Sequence, residues 1–351
     1  MLLNSASVSD TQSSSEMRTL VLLFVVGLCV LDAASSLKIC AFNVQSFGES
    51  KANNKKIMVI LLKILSRCDV SLIQEVRDAK GAAVQALVKA LNRFDKSNTY
   101  SSVESERLGR KSYKEQYVYV YRNNLLKVKD HYQYPKLEGA GANDSDVFSR
   151  EPFIVRFHSP TTLVKDFVLI GQHTSPKTAM KEIDELYTVF RGVCKKWKTD
   201  NVMILGDLNA GCSYVSARGW RAVRLRSDPH FHWLIGDEQD TTVRERTRCS
   251  YDRIIAHGRH LVSGLVAGSA RPFNFKEEFR LSEEEVTART RFMVGFGPMD
   301  VNLCAFVWCI LGPGGERSFP CRGGPEAQPP LPPPPRAVGA QHKPAASCVQ
   351  S

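Results

Sequence analysis

Val202-Met203-Ile204-Leu205-Gly206-Asp207-Leu208-Asn209 joins an apolar run to a polar end, a pattern that points to the fold class. A short apolar run closed by glycine has the length and composition of a buried strand. Asp207 and Asn209 then stand at its C-terminal edge. The same arrangement recurs along the chain: Lys38 to Phe42 leads to Asn43, Val70 to Gln74 leads to Glu75, and Phe167 to Ile170 is followed by His173. Further strands are expected over Tyr251 to Ile255, with Asp252 beside its start, and over Gln116 to Tyr121 and Phe153 to Phe157. Apolar residues at helical spacing, such as Ile57, Ile60, Leu61, Ile64 and Leu65, predict a helix over Asn53 to Ser66. Two more are expected over Ala82 to Asn92 and Ala179 to Lys196. Short strands alternating with helices predict an α/β fold built in layers, and such folds place their sites where strand ends gather polar groups.

The polar residues at those ends form an inventory for phosphodiester hydrolysis. Glu75 offers a hard oxygen ligand of the kind Mg²⁺ takes, and that ion keeps much of its water. A bound metal offsets charge that builds on a phosphoryl transition state. His173 has the side chain whose ordinary pKa allows proton donation to a leaving oxygen near neutral pH. Glu115 is suited to orient that ring and to favour the imidazolium.

A chain of 351 residues, 43% hydrophobic, can bury an ordinary core. Its net charge of +11 favours encounter with a polyanion, nucleic acid or an anionic membrane surface. Met17-Arg18, the apolar run Leu20 to Leu31 and the small residues Ala33-Ala34-Ser35-Ser36 follow the order of a secretory signal, so the mature chain is expected to begin near Leu37. Residues 1–36 are thus read as an N-terminal extension and signal, with an apolar run too short to span a bilayer comfortably. Secretion makes the 10 cysteines candidates for disulfides, and no Cys-x-x-Cys or Cys/His cluster argues for a thiolate metal site. Asn143-Asp144-Ser145 is a glycosylation sequon. Beyond Thr290 the text changes: residues 301–311 are apolar, then Gly and Pro dominate, with a proline-rich run over Pro329 to Pro335. Such a tail cannot build a packed core.

Six stretches resemble the deoxyribonuclease I family. They are Lys38 to Gly48 (KICAFNVQSFG), Gln74 to Asp78 (QEVRD), Leu108 to Tyr117 (LGRKSYKEQY), Phe148 to Phe153 (FSREPF), Gly206 to Tyr214 (GDLNAGCSY) and Cys249 to Ile254 (CSYDRI). They occur in family order over residues 37–285, with most likeness to the deoxyribonuclease-gamma and deoxyribonuclease I-like 1 branches. The resemblance implies a four-layer α/β sandwich of two mainly antiparallel sheets flanked by helices, spanning residues 37–290. It implies a secreted enzyme, made through the endoplasmic reticulum lumen, that nicks double-stranded DNA with Ca²⁺ and Mg²⁺ to leave 5′-phosphate ends. Mn²⁺ as a substitute metal, actin as a partner, a further nuclear role and a monomeric state belong to the same expectation. By position, Glu75 matches the metal-binding glutamate, and Asn43, Asp207 and Asn209 match residues around the metal and scissile phosphate. Glu115 and His173 match the proton-delivering pair, and Asp252 the carboxylate that supports a second catalytic histidine. Arg77, Arg150, Tyr113 and Tyr214 match DNA-contacting residues, Asp240 and Thr242 a calcium loop, and Cys212 and Cys249 a disulfide. Cys68 and Cys194 receive no pairing from this comparison.

The resemblance breaks at the C-terminal end. The family's last strand opens on a Ser-Asp-His motif after a stretch like Leu281-Ser-Glu-Glu-Glu285, and here Val286-Thr-Ala-Arg-Thr290 follows instead. No Asp-His pair occurs beyond that point; the only later histidine is His342. Loss of the residue that activates the attacking water predicts impaired activity. It also predicts a last strand that is missing or replaced, with an exposed sheet edge and poor folding unless residues 301–311 substitute.

Overall fold

The computed structural model describes residues 36–110, 112–136, 147–288 and 306–311, the last segment as backbone. The signal region, the sequon at Asn143 and the proline-rich tail lie outside the described residues. Among the described residues, twelve strands form two sheets. In chain order they are β1 (Leu37–Phe47), β2 (Val70–Val76), β3 (Tyr100–Glu104), β4 (Gln116–Arg122), β5 (Lys127–Gln133) and β6 (Phe153–His158), then β7 (Asp166–Gly171), β8 (Val202–Asp207), β9 (His232–Trp233), β10 (Asp252–His257), β11 (Arg271–Phe273) and β12 (Phe306–Leu311). The first sheet runs β11-β12-β1-β2-β4-β3 and the second β5-β6-β7-β8-β10-β9. Each sheet has a single parallel pairing, β1 with β2 and β7 with β8, and is otherwise antiparallel.

Alternation along the strands sorts the side chains into layers. Ile39, Ala41, Leu72, Tyr117 and Tyr119 of the first sheet meet Phe153, Phe157, Leu169, Met203 and Leu205 of the second in a core between the sheets. Their neighbours Cys40, Phe42, Ile73 and Val118 face the opposite way, onto the helices Lys55–Leu65 and Ala82–Phe94. Ile154, Val168, Ile170 and Ile204 likewise face the helix Ala179–Trp197. The result is the expected four layers, helix, sheet, sheet, helix. A fully buried side chain of this kind contributes roughly 1.5–3 kcal/mol, so the core between the sheets carries much of the stability.

Local chemistry sets the helix limits. Asn54 accepts N–H bonds from Lys56 and Ile57 at the start of Lys55–Leu65. The helix Ala82–Phe94 buries Ala83, Val84, Leu87 and Leu91, a single face at three- and four-residue spacing. Ala179–Trp197 ends on Lys198 in the left-handed conformation at φ 53°.

The edge of the first sheet is completed from the C-terminal region. β12 pairs antiparallel with β1 from Leu37↔Leu311 to Ala41↔Val307, and with β11 from Arg271↔Trp308 to Phe273↔Phe306. The apolar run beyond Thr290 therefore supplies a replacement strand, and β1 has neighbours on both sides. Two disulfides add covalent ties, Cys212–Cys249 as expected and Cys40–Cys68, which joins β1 to the turn after Lys55–Leu65.

Candidate active site

Glu75, Asn43, Asp207, His173, Glu115 and Arg150, all expected from sequence, are brought together by the fold. Asn43, at the end of the regular part of β1, donates from Nδ2 to Glu75 Oε1 at 3.0 Å and to Asp207 Oδ2 at 3.1 Å. The same Asp207 oxygen lies 3.8 Å from His173 Nε2. His173 Nδ1 is 2.7 Å from Glu115 Oε1, and Arg150 Nε is 3.2 Å from that oxygen. A continuous polar line thus runs from Glu75 through Asn43, Asp207, His173 and Glu115 to Arg150, crossing both sheets. Asn209 joins it, donating its backbone N–H to Asp207 Oδ1 and its amide to Thr174 O. Asp252, fully buried, stands directly across from Asp207 in the β8–β10 register, and Thr241 Oγ1 accepts its N–H.

The backbone at this end is unlike ordinary strand. Glu75 has φ 57°, Gln45 49°, Ser46 59° and Asn209 47°, left-handed values that non-glycine residues rarely hold without compensation. The compensation is visible as hydrogen bonds: Gln45 N–H donates to Asn43 Oδ1 and Ser46 N–H to Glu75 Oε2. Lys51 Nζ donates to the carbonyls of Val44 and Gln45. Burial pulls the Lys51 pKa down to about 8, against the pull of Glu75, so the amine stays largely protonated at neutral pH.

Gln74 joins the two sheets beneath the site. Its Nε2 donates to Gln172 O at 2.7 Å, and its Oε1 accepts the Asp207 N–H at 2.9 Å. Gly206 lies against this contact at φ 130°, where a Cβ would meet Gln172 O and, at 2.6 Å, Gln74 Nε2. The glycine in the opening stretch is therefore required by close approach as well as by its dihedral. Gln74 was visible in the sequence as a polar residue inside an apolar strand.

Arg253 is another buried polar group with no role assigned from sequence. Its guanidinium donates to the carbonyls of Ser250, Ile235 and Ala210 and pairs with Asp237 at 2.8 Å, tying together the loops that carry Asn209 and Asp252.

Electrostatics separate the carboxylates. Burial, then repulsion from Glu115, raises the Glu75 pKa. Burial also works against the Glu115 anion, but His173 and Arg150 outweigh it and hold this carboxyl below its ordinary value. Burial and the Arg150 charge act to lower the His173 pKa; its ion pair and hydrogen bond with Glu115, and the charge of Asp207, reverse them and leave it raised. The pairing thus favours the imidazolium form of His173 and the carboxylate form of Glu115, with Nε2 turned from Glu115 toward Asp207.

The matched DNA-contacting residues divide. Arg77 lies over the Tyr113 ring at 4.3 Å, and Tyr113 is 40% exposed. Tyr214 stacks on Tyr251 at 5.3 Å beside Cys249. Arg150 turns inward, donating to the carbonyls of His173 and Thr174 besides its pairing with Glu115. Asp240 Oδ1 accepts from Thr242 N, Thr242 Oγ1 and Cys249 N, so Asp240 and Thr242 share one ordered turn.

Glu75 and Asp207 bring carboxylate oxygens together here, with the Asn43 amide nitrogen and His173 Nε2 beside them, and burial makes the Glu75 carboxylate costly to ionise. Carboxylate oxygens are the ligands that a hard cation takes. Among the described residues no three His, Cys, Asp or Glu side chains form a ready metal cage.

A four-layer sandwich with acids, amides and a buried Glu-His pair at one end defines a class. Residues 40–275 match the Endonuclease/Exonuclease/phosphatase family, and the chain belongs to it. Two solved structures of that family have the same fold, from Bacteroides thetaiotaomicron (TM-score 0.52, 11% identity, 80% of this chain and 98% of that one) and Bacteroides vulgatus (0.51, 11%, 79% and 98%).

Within the family the chain is a deoxyribonuclease homologue. It is 46% identical over 273 residues to deoxyribonuclease gamma of Homo sapiens, covering 78% of this chain and 87% of that protein. It is 48% identical over 255 residues to deoxyribonuclease-1 of Mus musculus, covering 73% and 88%. By family it is a DNA-hydrolysing nuclease.

Proposed function

We propose that the chain is a secreted, divalent-metal-dependent endonuclease that cuts double-stranded DNA to 5′-phosphate products, with a rate reduced by the loss of the Asp-His pair. The polar line from Glu75 to Arg150 is the observation that carries this reading. Water attacks phosphorus and releases its proton to solvent, since the histidine that would take it is missing, while the bond from phosphorus to the 3′ oxygen breaks and His173 Nε2 gives that oxygen its proton. Glu115 sets the ring orientation through Nδ1 and keeps the imidazolium populated; Arg150 holds Glu115 in place. Glu75, with Asn43, Asp207 and Asn209 around it, would hold Mg²⁺, or Mn²⁺ in its place, which supplies charge neutralisation at the phosphoryl oxygens. Ca²⁺ is assigned to the Asp240–Thr242 turn. Arg77, Tyr113 and Tyr214 would meet the DNA backbone and minor groove, where a narrow groove attracts arginine. Asp252 would have supported the histidine that this chain lacks. Two disulfides, the signal-like N-terminus and the Asn143 sequon support secretion. No described helix is long and apolar enough to cross a membrane.

A second reading, a catalytically silent relative that binds DNA or actin, is favoured by one observation. Residues beyond Glu285 hold no Asp-His pair, and the strand that closes the first sheet, Phe306–Leu311, contains neither residue. A plasmid-nicking assay with Mg²⁺ and Ca²⁺ separates the two. The enzyme reading expects slow nicking that chelator abolishes and that His173→Ala reduces by ~10²–10⁴. Salt-sensitive DNA binding without any nicking would instead establish the silent relative.

A further inference from the structure

We propose that Lys51, which has no part in the chemistry above, is a positioning residue that holds Glu75 and Asn43 in their working geometry. The inference rests on reading Glu75 as the metal-binding carboxylate, and it begins with a defect in the sheet. β1 and β2 pair in regular parallel register up to Asn43↔Gln74 and resume at Phe47↔Val76. Four steps of β1, from Asn43 to Phe47, therefore oppose two steps of β2, from Gln74 to Val76. The surplus residues of β1 form a bulge, the device that re-aims side chains beside active sites. Gln45 and Ser46 within it are both left-handed, and Glu75, on the opposing strand within the same irregularity, is left-handed too.

This distortion does two things. It turns the N–H groups of Gln45 and Ser46 onto Asn43 Oδ1 and Glu75 Oε2, at 2.9 and 3.0 Å. It also takes the carbonyls of Val44 and Gln45 to a single amine, since Lys51 Nζ donates to both, at 2.9 Å to Val44. Backbone carbonyls withdrawn from water need a partner, and an ammonium supplies several donors from one point. Lys51 reaches this position from the helix Glu49–Ala52, with its stem lining a narrow apolar cavity of about 50 Å³ beside Phe42, Ile57 and Phe275. A helix two turns of chain away from Asn43 is thus latched to the bulge by one side chain. Without the latch, the Val44 and Gln45 carbonyls lose the donor that helps offset the strain of the bulge, and the Ser46 N–H is held on Glu75 less firmly.

The test compares the full-length protein with Lys51→Met and Lys51→Gln by two measurements that do not depend on turnover. The first is hydrogen exchange of the Ser46 amide; the second is the Mg²⁺ concentration needed to raise the melting temperature. In Lys51→Met, Ser46 exchange should quicken and the required Mg²⁺ should rise by roughly tenfold, as for other supports of a metal ligand. Lys51→Gln, which keeps a neutral donor, should fall between it and the parent. A cooperatively folded Lys51→Met with unchanged exchange and unchanged Mg²⁺ response overturns the proposal. So does failure of both variants to fold, which would make Lys51 a residue of the fold at large. A parent protein with no Mg²⁺ response and no nicking would instead sink the metal-site reading, while the exchange comparison would still judge the latch.

Discussion

The two halves of the site are built on different principles. Around His173 the ring and backbone are held by named partners: Glu115 on Nδ1, Tyr117 OH accepting the His173 N–H, and Arg150 on the His173 carbonyl. Around Asp252 the neighbouring edge is closed by Phe306–Leu311, which supplies backbone pairing without the family's Asp-His. The contrast teaches that a sheet edge and a proton relay are separable. Any strand of suitable length can satisfy β1's hydrogen bonds, but only particular side chains can move a proton.

The largest effect expected from breaking this contrast is on the scaffold half. Truncation after Ala288 removes β12 and leaves β1 and β11 unpaired along that edge. The protein should then lose its cooperative thermal transition by circular dichroism. A truncated chain that still melts sharply would show that the replacement strand is dispensable. Next in size is the disulfide between the Asn209 loop and the Asp252 strand. Replacing Cys212 and Cys249 together by alanine should cost about 3–4 kcal/mol in denaturant unfolding, from the entropy of a loop closed over 37 residues. A loss under about 1 kcal/mol would mean that the loop is ordered by its other bonds.

The proton-delivering half is probed by Glu115→Gln. Glu115 raises the His173 pKa, so its removal should lower it. In the proposed mechanism activity needs the protonated ring, hence the alkaline limb of the pH–rate profile should move to lower pH. The stability sign agrees: a raised histidine pKa stabilises fully below the unfolded value near 6.5, and this stabilisation is lost as pH rises through the folded value. Glu115, with a lowered pKa, loses its contribution as pH falls instead. Glu115→Gln should flatten both slopes, and an NMR titration of His173 unmoved by the substitution would remove the pair from the mechanism. The smallest effect lies in the core between the halves. Tyr119 is fully buried and its hydroxyl has no hydrogen-bond partner among the described residues, so Tyr119→Phe should be neutral or stabilise by up to ~1 kcal/mol. A marked fall in melting temperature would reveal a partner for that hydroxyl, such as an internal water.

Much of this molecule is legible from local pattern. The helices at 55–65, 82–94 and 179–197 follow from apolar spacing, and the central strands follow from short apolar runs with polar ends. β3, β5, β9 and β11 escape such reading because they are short or carry mixed polar residues, and pairing with a neighbour stabilises them more than their own composition does. The Cys40–Cys68 bridge escapes it too, since the chain alone does not say which sulfurs meet. Arg150 shows the limit at the site itself: its place in a matched motif suggested DNA, and its surroundings direct much of its hydrogen bonding inward.

The layered α/β class, the acids, amides and histidine available for chemistry, and the lack of a C-terminal Asp-His can all be read from residue type and order. Packing is what joins Glu75, Asn43, Asp207, His173, Glu115 and Arg150 in one connected line, sets Lys51 and Gln74 to brace it, and lets Phe306–Leu311 close the sheet. This is so because hydrogen bonds between residues more than a hundred positions apart, such as Asn43 to Asp207, exist only after packing has brought two sheets together.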